Sequence, residues 1–96
     1  MASLYITEYG GIGASGAQVP EEPPLAEQKI TIGATSLQSA AFAASTEIIR
    51  IHGDAISSYA VGEDPTATTS KARLPADRDR YVGVRPGWKI AVIENT

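Results

Sequence analysis

RYVGVRPGWKIAVIE, residues 80–94, consists of two strand-like runs on either side of one turn signal. Arg80–Val84 and Trp88–Glu94 are rich in β-branched and aromatic residues, which favour strands. Between them, Arg85–Gly87 places proline and glycine at the two central positions that a type II turn prefers. This stretch therefore predicts a strand, a turn and a second strand.

The rest of the chain repeats this pattern, with turn signals at intervals of about ten residues. Thr46–His52 is the clearest further run. Its period-two alternation predicts that Ile49 and Ile51 face inward, and Arg50 and His52 then face outward. Other predicted strands are residues 3–9, 29–33, 39–42 and 55–62, and residues 63–72 are a predicted polar loop. Such spacing predicts an all-β fold, a small sandwich or barrel.

Two local features follow from turn and cap chemistry. The tripeptide at residues 52–54 is predicted to be a tight hairpin connection in which Gly53 takes a positive φ. The main local alternative concerns residues 36–45, where frequent alanine permits a short helix capped by Thr35 or Ser36.

Residues 10–24 differ from the strand-rich remainder because they combine glycines with prolines. These residues disfavour both helices and sheet ladders. Fully extended, the segment would span on the order of 50 Å. The sequence thus predicts an extended N-terminal arm over residues 1–25, made of a short strand and a Gly/Pro-rich linker, and a β domain over residues 26–96.

The composition excludes several function classes. The chain has 96 residues and a mass of 10.0 kDa, which suits one small domain. It contains no cysteine and one histidine, which excludes disulfides, thiolate zinc sites and multi-histidine clusters. It has no apolar run of the length that a membrane helix needs and no secretory signal pattern. We therefore expect no membrane partner.

Charge is distributed unevenly along the chain. The net charge is −3 and the pI is near 5.0, which argues against nucleic acid as a partner. Residues 1–64 carry two basic and eight acidic side chains, whereas residues 65–96 carry six basic and three acidic ones. Such polarity would favour contact between copies with opposite ends facing. A solvated surface with chance asymmetry is the simpler explanation.

The glycine-rich and acidic motifs have structural explanations. Gly11–Gly16 matches the G-x-G-x-x-G string of dinucleotide-binding loops, but Pro20 prevents the helix that must follow it. The carboxylate pairs lie in predicted loops, where solvation keeps them from acid–base work. These pairs are Glu21 with Glu22, Glu63 with Asp64, and Asp77 with Asp79.

His52 is the one imidazole, and Asp54, Ser57 and Ser58 lie near it in sequence. A catalytic triad needs the histidine between the hydroxyl and the carboxylate, and adjacent residues on one strand and turn do not build that relay. A surface histidine is the simpler interpretation. We therefore predict that the chain is not an enzyme and that it has no catalytic residue, cofactor or metal site.

Several segments together resemble small virion structural proteins of tailed bacteriophages and prophages. They are Leu4–Tyr9, Pro23–Gln28, Ile49–Ala55, Asp64–Thr68 and Val84–Ile93. Within that group, a β protein of this size is similar to capsid decoration (cement) proteins. The resemblance implies a non-enzymatic protein, made in the bacterial cytoplasm and located on the capsid exterior. Its partners would be the major capsid protein, other copies of itself, or both. Collar, head-completion and fibre-base roles are the alternatives within the resemblance.

The predicted partner contacts combine the arm with the last turn. They are Tyr5, Ile6, Tyr9, Val19, Pro23, Pro24, Leu25, Arg85 and Trp88. The predicted core consists of Ile49, Ile51, Val82, Val84, Ile90 and Val92, with Trp88, Tyr81 and Tyr59 as core or interface anchors. The alternative function is a glycan- or ligand-binding β module of a fibre or collar. It would present Trp88 and Tyr81 as an exposed aromatic platform.

Overall fold

The computed structural model describes residues 2–10 and 25–96, and these residues form eight strands in two antiparallel sheets. The first sheet has the order β2-β1-β4-β7, and the second has the order β3-β8-β5-β6. The strands are β1 Ser3–Tyr9, β2 Ala26–Thr31, β3 Leu37–Gln38, β4 Ile48–Gly53, β5 Ser57–Gly62, β6 Ala72–Leu74, β7 Asp79–Gly83 and β8 Lys89–Glu94. The predicted all-β class is confirmed.

One hydrophobic core lies between the two sheets, which makes the fold a β-sandwich. Its fully buried side chains alternate with outward residues along the central strands, as period two requires. The core cluster consists of Leu4, Ile6, Ile32, Phe42, Ile49, Ile51, Leu74, Ile90 and Val92. Four of these were predicted from the sequence, and Val82, Val84, Tyr59 and Trp88 pack against them.

Strand β1, which the sequence assigned to the arm, lies inside the first sheet between β2 and β4. Ile6 lies opposite Gln28 on one side and opposite Ile51 on the other. The chain leaves β1 at Gly10 and returns at Leu25, whose N–H donates to the Glu8 carbonyl over 2.7 Å. The two ends of the Gly/Pro-rich segment are therefore adjacent. The segment itself, residues 11–24, lies outside the described residues.

The predicted turn between β7 and β8 is confirmed. Gly87 has a φ of 81°, as the second central position of a type II turn requires. The Trp88 N–H donates to the Arg85 carbonyl over 3.2 Å and closes the turn. The chain crosses here from the first sheet to the second.

The predicted hairpin at residues 52–54 is wrong, because β4 and β5 belong to different sheets. Gly53 is the last residue of β4, and its φ is not positive. Its role is steric: a Cβ there would lie 3.3 Å from the Ala55 carbonyl oxygen and 3.4 Å from the Leu74 side chain. Glycine is needed because the chain passes close to the core as it changes sheets.

Residues 36–45 form neither the alternative helix nor the predicted strand at 39–42. The strand here is the two-residue β3, and the Ser39 and Phe42 N–H groups continue its pairing with donations to the Ile90 and Trp88 carbonyls. The buried Glu8 carboxylate holds the following loop, accepting from the Ala43 N–H and the Thr46 hydroxyl, each over 2.8 Å.

Residues 63–71 form the predicted polar loop, which lies against the outer side of the second sheet. Alternation points Ser58 and Ala91 away from the core, yet both are fully buried. The Asn95 amide bridges the Ser58 hydroxyl to the Thr69 carbonyl, and the Ala67 N–H donates to the Ser36 hydroxyl. The loop therefore covers this face. The short strand β6 that follows was not predicted from the sequence.

No helix among the described residues is long and apolar enough to cross a membrane.

Candidate functional site: the outer face of the first sheet

The side of the first sheet away from the core carries two rows of polar and aromatic side chains, here called the open face. Strand register aligns each row across β2, β1, β4 and β7. One row is Lys29, Tyr5, His52 and Asp79, and the other is Glu27, Thr7, Arg50 and Tyr81. Cross-strand neighbours in such rows are in contact distance, so these eight side chains form one surface.

A shallow pocket of about 420 Å³ lies in the open face. Thr7, which is short, lies between the larger side chains of Tyr5 and Arg50, and all three line the depression. Glu27, His52 and Asp79 complete the polar wall. The pocket thus offers an aromatic ring, hydrogen-bond donors and carboxylate acceptors within one small volume.

Arg50 is the fixed cation at the centre of the open face. Partial burial by itself lowers its pKa, but Tyr9, Tyr81 and Asp79 outweigh that effect, and the pKa of Arg50 is raised above its ordinary value. Tyr81, opposite Arg50 on β7, contributes to this rise. Arg50 therefore stays charged.

The His52 imidazole lies between two carboxylates. Its Nδ1 lies 2.7 Å from Asp79 Oδ1, and its Nε2 lies 3.6 Å from Asp77 Oδ1. The Tyr5 ring packs on the other side, 6.4 Å from the imidazole centroid, with the Lys29 ammonium 5.9 Å from the centre of that ring. These contacts fix the orientation of the imidazole.

One group of side chains has the composition of a cation site. The ligand atoms of His52, Asp54 and Asp77 lie within 4.8 Å of one another. Asp77 reaches this position with a φ of 55°, in the left-handed region that Asp adopts more readily than most residues. Both carboxylates are exposed, as surface acids commonly are. The sequence does not reveal this group, because Asp77 lies far from His52 in the chain.

The predicted partner contacts do not lie on one surface. Tyr5 is exposed on the open face and Leu25 is exposed at the start of β2, whereas Ile6 and Tyr9 are buried. Arg85 and Trp88 lie together at the β7–β8 turn, where the guanidinium is 5.7 Å from the indole ring. Val19, Pro23 and Pro24 lie outside the described residues.

The side chains of a possible triad are separated. Ser57 and Ser58 are fully buried in the second sheet, whereas His52 lies on the open face of the first. The predicted aromatic platform is divided in the same way. Tyr81 is 49% exposed beside Arg50, and Trp88 packs against the core.

Lys29, Thr7 and Glu27 were not singled out from the sequence. Alternation predicted the outward direction of Arg50, but only the register across β2, β1 and β7 shows which side chains surround it.

Comparison with known proteins gives no match to this chain. No family model matches it, and neither a curated protein nor a solved structure does. The resemblance to phage virion proteins therefore stays a prediction.

Proposed function

We propose that this chain is a non-enzymatic structural protein of a tailed-bacteriophage virion, and that it decorates the capsid by binding the major capsid protein through the open face. The observation that carries the proposal is the difference between the two outer faces. A loop covers the second sheet, whereas the first sheet presents Tyr5, Tyr81 and Arg50.

The composition of the open face supports a protein partner. Tyrosine and arginine are enriched where protein interfaces are most strongly bound, because they combine large contact area with directed hydrogen bonds. His52 is already oriented by Asp79, so binding has one fewer side chain to order. A preorganised face of this kind suits a repeated, flat partner such as a capsid shell.

The size of the domain also fits this role. A sandwich of fewer than a hundred residues buries a small core and has limited stability of its own. A partner that binds only the folded state adds stability in proportion to its affinity. Docking on a capsid would thus stabilise both the shell and this chain.

The segment between Gly10 and Leu25 is the second proposed contact. Both ends lie at one end of the first sheet, next to β1 and β2. Since β1 belongs to the sheet, removing residues 1–25 would remove a central strand as well as the linker. The informative change is to replace residues 11–24 with a glycine–serine linker of equal length, which preserves both anchoring strands.

The first experiment measures copy number. Particles purified from the strain whose genome encodes this chain are analysed by quantitative mass spectrometry. A decoration role predicts copies in proportion to the major capsid protein. A few copies per particle would assign the chain to a collar or fibre instead, and absence from particles would contradict the proposal.

The second experiment compares two exposed apolar residues on different sheets. Tyr5 is 43% exposed on the open face, and Leu37 is 44% exposed on β3. Tyr5→Ser should weaken co-sedimentation with undecorated heads by about tenfold or more, as loss of an aromatic interface anchor does. Leu37→Ser, the matched control, should bind as the unmodified chain does. Equal effects would contradict the assignment of the open face.

A second candidate function is favoured by the pocket. The Tyr5 ring, the Arg50 guanidinium and the Glu27 and Asp79 carboxylates provide the stacking surface and paired polar groups that a sugar ring requires. Titration with a panel of bacterial surface oligosaccharides, followed by NMR, tests this role. Saturable shifts confined to Tyr5, Thr7 and Arg50 would support it, and unchanged spectra would exclude it.

A further inference from the structure

The outer edge of β7 presents a regular set of backbone groups. The Val84 N–H donates to the Glu47 carbonyl over 2.9 Å, which makes these opposite residues a hydrogen-bonded pair. Hydrogen-bonded and non-hydrogen-bonded pairs alternate along antiparallel strands. The register of β7 with β4 therefore places Asp79, Tyr81 and Gly83 in non-hydrogen-bonded pairs. Their N–H and C=O groups point away from β4.

No described residue pairs with this edge. β7 is the last strand of its sheet, and Tyr81 and Gly83 are exposed. A Cβ placed on Gly83 would have no atom within 4 Å, so the face of the sheet at this residue is open. An edge strand of this length, with unpaired backbone N–H and C=O groups, can pair with a further strand.

The other three edges are less suited to pairing. β3 has two residues and β6 has three, and short edge strands resist strand addition. β2 is longer, and its Gln28 side chain, which lies on the core side of the sheet, makes two hydrogen bonds with the Ala40 backbone. A loop is therefore attached to β2. Of the two longer edge strands among the described residues, β7 is the one with no hydrogen bond to a loop.

We propose that β7 pairs antiparallel with β7 of a second copy of this chain, with Tyr81 on the two-fold axis. Asp79 then lies opposite Gly83 of the second copy, and Tyr81 lies opposite Tyr81 of the second copy. All the outward N–H and C=O groups of Asp79, Tyr81 and Gly83 form hydrogen bonds in this register. This inference does not rest on the proposed function.

The side chains disfavour one of the two adjacent registers, the one with Arg80 on the axis. With Tyr81 on the axis, Arg80 faces Val82 of the second copy, and Asp79 faces the open space at Gly83. With Arg80 on the axis, two arginines would lie directly opposite each other, which is unfavourable. Arg80 is also held within its own chain, since its Nη1 lies 3.2 Å from the Tyr59 hydroxyl.

Pairing in this way produces one continuous eight-stranded sheet from two four-stranded ones. The open faces of both copies then form a single surface, with Arg50, Tyr81 and their counterparts in the second copy in one row. A capsid or other repeated partner would contact two open faces at once.

The absence of cysteine allows a direct test of the register. In the proposed dimer, Tyr81→Cys places the new thiol of one copy directly opposite the same thiol of the second copy. Backbone separation in a hydrogen-bonded antiparallel pair is about 5.5 Å, within the range that a disulfide spans. Mild oxidation at concentrations where the chain dimerises should give a cross-linked dimer.

The matched controls are the single variants Asp79→Cys and Gly83→Cys. In the proposed register residue 79 lies opposite residue 83 of the second copy, so neither cysteine faces its own counterpart. Both should cross-link far more slowly than Tyr81→Cys. The double variant carrying both cysteines should cross-link as readily as Tyr81→Cys. Equal rates for all three single variants would contradict the register.

A second measurement uses sedimentation equilibrium of the unmodified chain and two variants. Gly83→Pro removes an outward N–H that appears twice per dimer, and should weaken self-association by about tenfold or more. Gly83→Ala keeps that N–H and should associate as the unmodified chain does. Thermal unfolding checks that both variants are folded. A monomeric chain up to millimolar concentration, or equal association of both variants, would overturn the proposal.

Discussion

The two sheets of the sandwich differ in what lies on their outer sides. The second sheet is covered by residues 63–71, which bury Ser58 and Ala91 on the side away from the core. Among the described residues, the outer face of the first sheet exposes Tyr5 and Tyr81, and Asp79 holds His52 in place. The two sheets have equal strand number, and they differ in whether a loop among the described residues covers the outer side.

The largest expected effect comes from Glu8, which anchors the 43–46 loop away from the open face. Its carboxylate is 1% exposed and accepts from Gln28, Ala43 and Thr46. Glu8→Ala leaves buried donors unpaired and should lower the free energy of unfolding by about 3–4 kcal/mol. Urea denaturation measures this. Glu27→Ala, on the open face, is the control and should change stability by less than about 0.5 kcal/mol.

A direct test of the difference between the faces introduces one charge on each. Ala67 lies in the loop that covers the second sheet and is itself buried, and Ala67→Asp should destabilise the fold by about 3 kcal/mol because its charge is buried unpaired. Thr7→Asp places the same charge opposite Arg50, and should cost less than about 1 kcal/mol. Similar losses in chemical denaturation would show that the first sheet is covered as well.

A smaller effect is expected where the chain passes between the sheets. Gly53→Ala places a methyl group 3.3 Å from a backbone oxygen and should cost about 1–2 kcal/mol through overpacking. Gly62→Ala, at the end of β5, meets nothing within 4 Å and should be neutral or slightly stabilising. Differential scanning calorimetry of the pair distinguishes crowding from backbone entropy, because entropy alone would move both melting temperatures upward.

The smallest expected effect concerns a link between the sheets at the β7 edge. The Arg80 guanidinium lies 5.8 Å from the Tyr59 ring and is hydrogen-bonded to its hydroxyl. A double-mutant cycle with Arg80→Ala and Tyr59→Leu should give a coupling energy of about 0.5–1 kcal/mol. Additive losses would show that this contact does not couple the two sheets.

Local patterning was sufficient to predict most strands and their inward residues. Ile49 and Ile51 are buried as alternation requires, and Gly87 has the φ that the turn signal predicted. The prediction failed at Gly53, because a glycine between two strands marks a close approach as readily as it marks a hairpin. Which sheet a strand joins depends on pairing with residues distant in the chain.

The candidate site was only partly predictable for the same reason. Alternation showed that Arg50 and His52 point outward. The contact between His52 and Asp79 depends on the register of β4 with β7, and that register is fixed by core packing and not by either local sequence. Alternation does not predict the burial of Tyr9. This residue lies on the outward side of β1, as Tyr5 does, and is nevertheless buried.

The closeness of Gly10 to Leu25 has a consequence for how this chain can change. Because these two residues are adjacent, a connecting segment does not need a minimum length to join them. The entropic cost of closing such a loop grows only with the logarithm of its length. Doubling that length costs about 0.6 kcal/mol. Foreign peptides of varied size could therefore be inserted there for display while both anchoring strands keep their pairing.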